Sequence, residues 1–220
     1  MYRVNDIFYS LQGEGRNTGR AAVFVRFAGC NLRCPFCDTE FESYREMSGE
    51  EILAAIVTLA PLSHEEGGGR LLVVLTGGEP TLQVDEAFVD LLHQHGYEVA
   101  MESNGTRPAP ANLDWLTVSP KVNGPLGMKD EKFRQPDEIK IVFDEDTDPA
   151  AIISHFCVPS VANDQRSSAP FSIPHLLYLQ PCDTGDVTRN KALIHACVEY
   201  VKAHPQWRLS LQTHKLIDIP

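Results

Sequence analysis

No stretch of this chain approaches the ~20 apolar residues that a membrane-spanning helix requires, and its first residues, Met1-Tyr2-Arg3-Val4-Asn5-Asp6, hold no apolar signal segment. A basic balance is also missing. Nineteen Lys and Arg stand against thirty Asp and Glu, a formal net charge of −11, which argues against a nucleic-acid-binding surface while leaving room for a local basic pocket. There is no internal repeat and no linker that would split the chain. At 220 residues it suits one sizeable α/β domain, 1–220, and is too short for two comfortable ones. A cytoplasmic protein with a small-molecule substrate, and with neither nucleic acid nor membrane as partner, is the expectation.

A second metal-binding pair is lacking as well, and this shapes the reading of the most informative segment. Cys30, Cys34 and Cys37 fall within Cys-Asn-Leu-Arg-Cys-Pro-Phe-Cys. Three thiolates fall one short of the four ligands of a cubane iron–sulfur cluster, so one iron would be left open to a non-protein ligand. A zinc knuckle would pair its first two ligands with a second Cys or His pair, yet the next histidine is His64 and no second Cys-x2-Cys exists. Three thiols cannot pair among themselves as disulfides. The cluster reading leads, with zinc or redox thiols as the alternatives.

Apolar runs alternate with helical patterns along the chain. Strands are expected at Ala22 to Phe27, Leu71 to Leu75, Tyr97 to Met101, Trp115 to Val118, Glu138 to Phe143, Leu176 to Leu179 and Trp207 to Leu211. Ser48-Gly49-Glu50-Glu51 forms a capping box that starts a helix with Ile52, Ala55, Ile56 and Leu59 on one face. A second helix carries Phe88, Leu91 and Leu92, and others are expected near Pro149 to Phe156 and Thr188 to Ala203. This alternation implies a mostly parallel sheet, either open and doubly wound or an incomplete (β/α) barrel of about six units. Residues 159–175 read as an irregular insertion.

In both architectures ligands sit at the C-terminal strand edges. The cysteine loop, Thr76 to Pro80, Glu102 to Gly105, Ser119-Pro120-Lys121 and Gln180 to Asp183 would therefore converge on one cleft.

The Cys-x3-Cys-x2-Cys spacing with Phe36 before the last cysteine, followed by a strand ending in Gly77-Gly78-Glu79-Pro80, resembles the radical S-adenosylmethionine superfamily. Leu11-Gln12-Gly13-Glu14-Gly15, Cys37-Asp38-Thr39, Ser119-Pro120-Lys121 and Ser210-Leu211-Gln212-Thr213-His214-Lys215 narrow the likeness to the 7-carboxy-7-deazaguanine synthase family. The resemblance implies an open, incomplete barrel, a [4Fe–4S] cluster on Cys30, Cys34 and Cys37, and S-adenosylmethionine chelating the fourth iron. Cofactor contacts would fall on Phe36, Cys37, Asp38, Gly78, Glu79 and Ser103, on Ser119, Pro120 and Lys121, and on Gln180, Pro181, Cys182 and Asp183. Gly77 and Gly78, lacking side chains, would let backbone groups approach the methionine amino group.

The family's substrate is 6-carboxy-5,6,7,8-tetrahydropterin, and its ring contraction with loss of ammonia gives 7-carboxy-7-deazaguanine, on the route to queuosine-type nucleosides. Leu11, Gln12, Gly13, Glu14, Arg26, Thr76, His214 and Pro220 fall at its substrate-contact positions, and Thr39 at its magnesium position. Arg26 offers a fork for a carboxylate, and Glu14 can accept from pterin N–H groups. Thr39 is one neutral oxygen, suited to Mg²⁺ that keeps waters. A homodimer and a low-potential donor, flavodoxin or ferredoxin, are further implications, and a terminal carboxylate in the pocket would make a C-terminal tag a hazard.

Plainer readings stand beside these. Arg26 could be the solvated side of a strand, Glu14 a loop cap, Lys121 a surface lysine, Thr76 a turn residue and His214 a structural histidine. Cys157, Cys182 and Cys197 read as small buried hydrophobes. A glycyl-radical activase and a non-enzymatic zinc module remain the alternative functions.

Overall fold

The computed structural model describes residues 1–37, 39–40, 42–60, 69–121, 135–157 and 176–220, with only the backbone of 155–157. The expected insertion at 159–175 lies outside the described residues, as does Asp38. Among the described residues nine strands form one sheet: β1 (Tyr2–Leu11), β2 (Ala21–Phe27), β3 (Arg45–Met47), β4 (Leu72–Gly77), β5 (Glu98–Ser103), β6 (Trp115–Val118), β7 (Glu138–Phe143), β8 (Leu176–Pro181) and β9 (Trp207–Leu209). Their spatial order is β3-β1-β2-β4-β5-β6-β7-β8-β9, and β3 and β9 are its two edges. From β2 through β4 to β9 every neighbouring pair is parallel, whereas β1 is antiparallel to both β2 and β3. The result is the open, incomplete barrel, with an antiparallel flap added at one edge.

All seven expected strands are present, and two more precede or interrupt them. Ala22 does not open the first strand, because β1 comes before it. Its burial pattern skips from Val4 to Ile7, and the pairing with β2 shifts register between Val4 and Asp6, so the two-residue alternation that announces a strand is broken. Three boundaries also move toward the site: β4 runs on through Thr76 and Gly77, β5 to include Glu102 and Ser103, and β8 through Gln180 and Pro181.

One face of the sheet is covered by helices. The capping box starts α1 (Gly49–Leu59), with Ser48 accepting from Glu51 N and Glu51 from Ser48 N. Asp85 caps α2 (Glu86–Gln94) through Phe88 N. These two helices pack Ile52, Ile56, Phe88 and Leu92 onto Val23, Val25, Phe27 and Leu75, and each such burial contributes ~1.5–3 kcal/mol. Leu59, expected on the buried face, is exposed at the end of α1; Ile52, Leu53 and Ile56 supply the buried stripe instead. A second core joins β7 and β8 to α3 (Pro149–Cys157) and α4 (Val187–Ala203), with Ile139, Ile141, Leu179, Cys197 and Trp207 among its residues. Cys197 is fully buried there and burial pushes its thiol up to about 12, the small hydrophobe expected.

The other face is different in kind. Strand alternation places Phe24 and Arg26 of β2, Val74 and Thr76 of β4, Glu102 of β5, and Lys140 and Val142 of β7 together, and all of them line one cleft. On β2 and β4 the apolar member, Phe24 or Val74, precedes the polar one, Arg26 or Thr76, whereas on β7 Lys140 precedes Val142. A short helix, α5 (Thr213–Leu216), closes one side.

Candidate active site

The cleft has a volume of about 520 Å³ and gathers loops from both halves of the chain. Directly after β2, the chain turns at Gly29 (φ +86°) into the cysteine loop. Cys30 and Cys34 are half-buried, Cys37 is exposed, and all three line the cleft. Cys30 Sγ accepts from Leu32 N at 3.4 Å and Asn104 Nδ2 at 3.9 Å. Burial pushes the Cys30 and Cys34 thiols up, and the Lys121 ammonium opposes this at Cys34. N–H donors to sulfur and a nearby cation suit thiolates that carry a cluster. Among the described residues no group of three or more His, Cys, Asp or Glu closes tightly enough for a single metal ion. A cubane, which binds each thiolate to a different iron, fits three spaced thiols better than tetrahedral zinc does.

The Gly77-Gly78-Glu79-Pro80 run is built into this loop. Gly78 N donates to Phe27 O (2.8 Å) and Glu79 N to Gly29 O (2.9 Å). A Cβ on Gly78 would lie 2.0 Å from Gly29 O, and Gly77, at φ +105°, would place one 2.4 Å from the Phe27 backbone. The two glycines are thus demanded by close packing of β4 on the start of the cysteine loop, a different reason from the expected approach of a ligand. Glu79 is fully buried and does not line the cleft. Its carboxylate accepts from Thr81 N, Thr81 Oγ1, Ser103 Oγ and Asn104 N, tying the ends of β4 and β5 together.

Across the cleft, Leu11-Gln12-Gly13-Glu14-Gly15 leaves β1 and delivers Glu14 into a buried charge cluster. Lys140 Nζ donates to Glu14 Oε2 at 2.5 Å and to Glu102 Oε2 at 2.9 Å. Gln212 Nε2 donates to Glu14 Oε1, and Gln12 Nε2 to Glu102 Oε1. Burial acts to raise Glu14, but the charge and hydrogen bond of Lys140 win and hold it at about 2. At Glu102 burial wins, supported by the nearby Glu14 and Glu138 carboxylates, and lifts it to about 7 despite Lys140. Glu138, beneath them, is raised by burial and accepts from Arg16 N.

The remaining expected residues take these places. Arg26 lines the cleft with its guanidinium 4.8 Å from the Phe8 ring centroid, and no described carboxylate pairs with it. Thr76, Leu11, Gln12, Gly13, Thr39, Phe36, His214 and Pro220 also line it. Lys121 donates to Ser119 Oγ at 2.7 Å and stands 5.5 Å from the Phe36 ring, while Pro120 is buried behind them. Burial lowers the Lys121 ammonium. Gln180 Oε1 accepts from Ser210 Oγ. Pro181 and Cys182 form wall, Cys182 being buried, and Asp183 is held at about 2 chiefly by the hydrogen bond from Lys215.

The radical SAM superfamily profile matches residues 24–123, the stretch from β2 past Lys121. A 7-carboxy-7-deazaguanine synthase from Bacteroides thetaiotaomicron is 42% identical, with 100% of this chain and 99% of that one covered. One from Nitratidesulfovibrio vulgaris is 41% identical at the same coverage. The chain belongs to the 7-carboxy-7-deazaguanine synthase family. A crystal structure of QueE from Escherichia coli superimposes with a TM-score of 0.71 at 28% identity, covering 96% of this chain and 93% of that one. Family membership brings a [4Fe–4S] cluster and S-adenosylmethionine, and leaves the activase and zinc-module alternatives unfavoured.

Lys140 had not been singled out from the sequence, and Glu102 had been read only as the start of a segment converging on the cleft. The signal for Lys140 was present, a cation inside the apolar run Ile139-Lys140-Ile141-Val142-Phe143, since a lysine buried within such a run needs a partner. Those partners lie 126 and 38 residues away.

Proposed function

We propose that the chain contracts the ring of 6-carboxy-5,6,7,8-tetrahydropterin to 7-carboxy-7-deazaguanine with loss of ammonia, as a carbon–nitrogen lyase of 7-deazapurine biosynthesis. Full-length membership of the synthase family carries the reading, and the cleft supports it. When bound, the cluster and S-adenosylmethionine supply a carbon radical able to take hydrogen from the pterin C6.

The chain's own residues then bind, orient and exclude water. Cys30, Cys34 and Cys37 would hold three irons of the cluster. Gly78, Ser103, Ser119 to Lys121 and Gln180 to Asp183 would cradle S-adenosylmethionine, with Phe36 and Asp38 beside its adenine. Glu79 contributes by fixing Ser103 and Asn104, since its own oxygens are occupied. Arg26, a buried-rim guanidinium without a carboxylate partner, would take the substrate carboxylate through paired hydrogen bonds. Glu14 keeps lone pairs beyond those engaged by Lys140 and Gln212 and would accept from pterin N–H groups. Leu11, Gln12, Gly13, Thr76, His214 and Pro220 complete the substrate wall. Mg²⁺ beside Thr39, bound mainly through water and substrate oxygens, belongs to the same reading. So do a homodimer, a flavodoxin or ferredoxin donor, a cytoplasmic setting and a single domain spanning 1–220.

Anaerobic reconstitution, then incubation with the carboxylated tetrahydropterin, S-adenosylmethionine, Mg²⁺ and a reductant, tests this. Mass spectrometry should show a product lighter by ammonia. A cluster-loaded protein that never forms it would refute the assignment.

A further inference from the structure

Lys140 is 4% exposed, yet it sits mid-strand in β7 and reaches carboxylates from two other elements. Glu14 comes from the loop after β1 and Glu102 from β5. Around this one ammonium stand three carboxyls, Glu14, Glu102 and Glu138, and the other titratable groups facing the cluster are Lys121 after β6 and His214 on α5. Even counting Lys121, two ammonium groups do not balance three carboxyls, of which Glu138 is buried and Glu14 and Glu102 partly buried, which favours a proton retained within the group. The hydrogen bonds say where. Glu14 is held on both oxygens, by Lys140 and Gln212, whereas Glu102 has Lys140 and a longer 3.3 Å contact from Gln12. Of the two carboxyls bridged by Lys140, the more strongly bonded Glu14 keeps its charge and Glu102 keeps the proton; Glu138 already accepts from Arg16 N and Thr117 Oγ1 and does not line the cleft.

We propose that Lys140 is a positioning residue that sets substrate specificity: by bridging Glu14 and Glu102 it presents the ligand with one fixed hydrogen-bond acceptor and one fixed donor. This deepens the proposed function and rests on it. A pterin edge carries amino and ring N–H donors beside a carbonyl acceptor, and such a pair matches it. Two carboxylates would repel the carbonyl, and two neutral acids would compete for the same acceptors. A site built on buried, matched polar groups rejects a mismatched edge strongly, because the mismatch leaves groups unpaired. Glu102 touches the ligand in this scheme; Lys140 acts only through the two carboxyls.

Pterin affinity, read by calorimetry on the anaerobically reconstituted protein with Mg²⁺ between pH 6 and 9, provides the test. For the wild-type chain, affinity should fall as pH rises past about 7, where Glu102 loses its proton. E102Q, whose amide donates at every pH, should lose that alkaline fall whatever its affinity at pH 6; the substrate's own titration is common to both. K140M should weaken binding ~100-fold or more, through two adjacent carboxyls left without their cation, and K140R should recover part of it. If K140M does not fold, K140R decides the role of Lys140: a partial loss is expected, and affinity equal to wild type across the pH range overturns it. Equal affinity in K140M, or the same pH slope in wild type and E102Q, overturns the role of Lys140. A wild-type protein that does not bind the pterin at all refutes the substrate assignment and this inference with it.

Discussion

His214 occupies the space that a side chain at Gly13 would need: a Cβ there would lie 2.1 Å from His214 Nδ1. The contact is reinforced by Thr213, whose N and Oγ1 both donate to Gly13 O at 3.0 Å. A residue near the start of the chain and one near its end thus form a single wall of the cleft. Gly15 repeats the arrangement on the other side of Glu14, where a Cβ would fall 2.1 Å from Glu138 Oε1 and φ is +63°. The acidic residue is held between two glycines, each lying under another side chain.

G13A should therefore displace α5 rather than unfold the sheet. We expect a stability loss of ~1–3 kcal/mol from overpacking and at least a ~tenfold loss of pterin affinity. Urea denaturation and calorimetry on the same protein check the two figures against each other.

Replacing Cys30, Cys34 or Cys37 by alanine should abolish the brown colour and drop iron well below the ~4 per chain of a cubane. Circular dichroism should not change, since the loop lies outside both cores. Iron analysis after anaerobic reconstitution is the measurement.

For Arg26, the expected signature is selectivity. R26M should bind the carboxylated pterin ~30–100-fold more weakly, with R26K recovering only part because an ammonium cannot make the paired bonds of the guanidinium. A decarboxylated analogue should bind both variants and the wild type alike.

E79A leaves Ser103 Oγ, Asn104 N and Thr81 without their acceptor, at a cost of ~3 kcal/mol. S-adenosylmethionine affinity should fall with it. Unchanged affinity in a destabilised protein would remove the β4 and β5 ends from the cofactor site.

The pH dependence of stability has a definite sign at Glu102. Its folded value, about 7, stands above the ordinary 4.5, so the neutral form is favoured in the fold. Its contribution is full below pH 4.5 and is lost as pH rises through 7. E102Q should therefore melt higher than wild type at pH 8, by about 2–4 °C for each kcal/mol recovered, with the gap closing toward pH 4.5. Glu14 runs the other way: held at about 2, it stabilises above pH 4.5 and loses that contribution on acidification. Calorimetric melts across pH 3 to 9 separate the two.

The sequence made the parallel strands and capped helices readable because their signals are local. β2 and β7 are apolar runs, and Ser48 with Glu51 closes a box within four residues. β1 was hidden by its own irregularity, the register shift at Val4 and Asp6, and β3 by being three residues of which two, Arg45 and Glu46, are charged. In the site, the cysteine spacing and the alternating Arg26 could be read directly. What could not be read was the pairing of Lys140 with Glu14 and Glu102, because a buried charge discloses its partners only once strands are assembled. The glycines of Gly77-Gly78 were noticed for a ligand's sake; they line the cleft and also make room for the neighbouring loop.

The position of Glu79 has one more implication. A carboxylate that spends all four of its bonds inside the protein leaves nothing to offer a guest, yet it fastens two strand exits that would each face one. Rigidity at this spot is installed before any guest arrives, so the entropy of arranging those exits is charged to folding and not to capture. Weak capture in a variant at this position would then report a loosened frame, even where every contacting atom is still present.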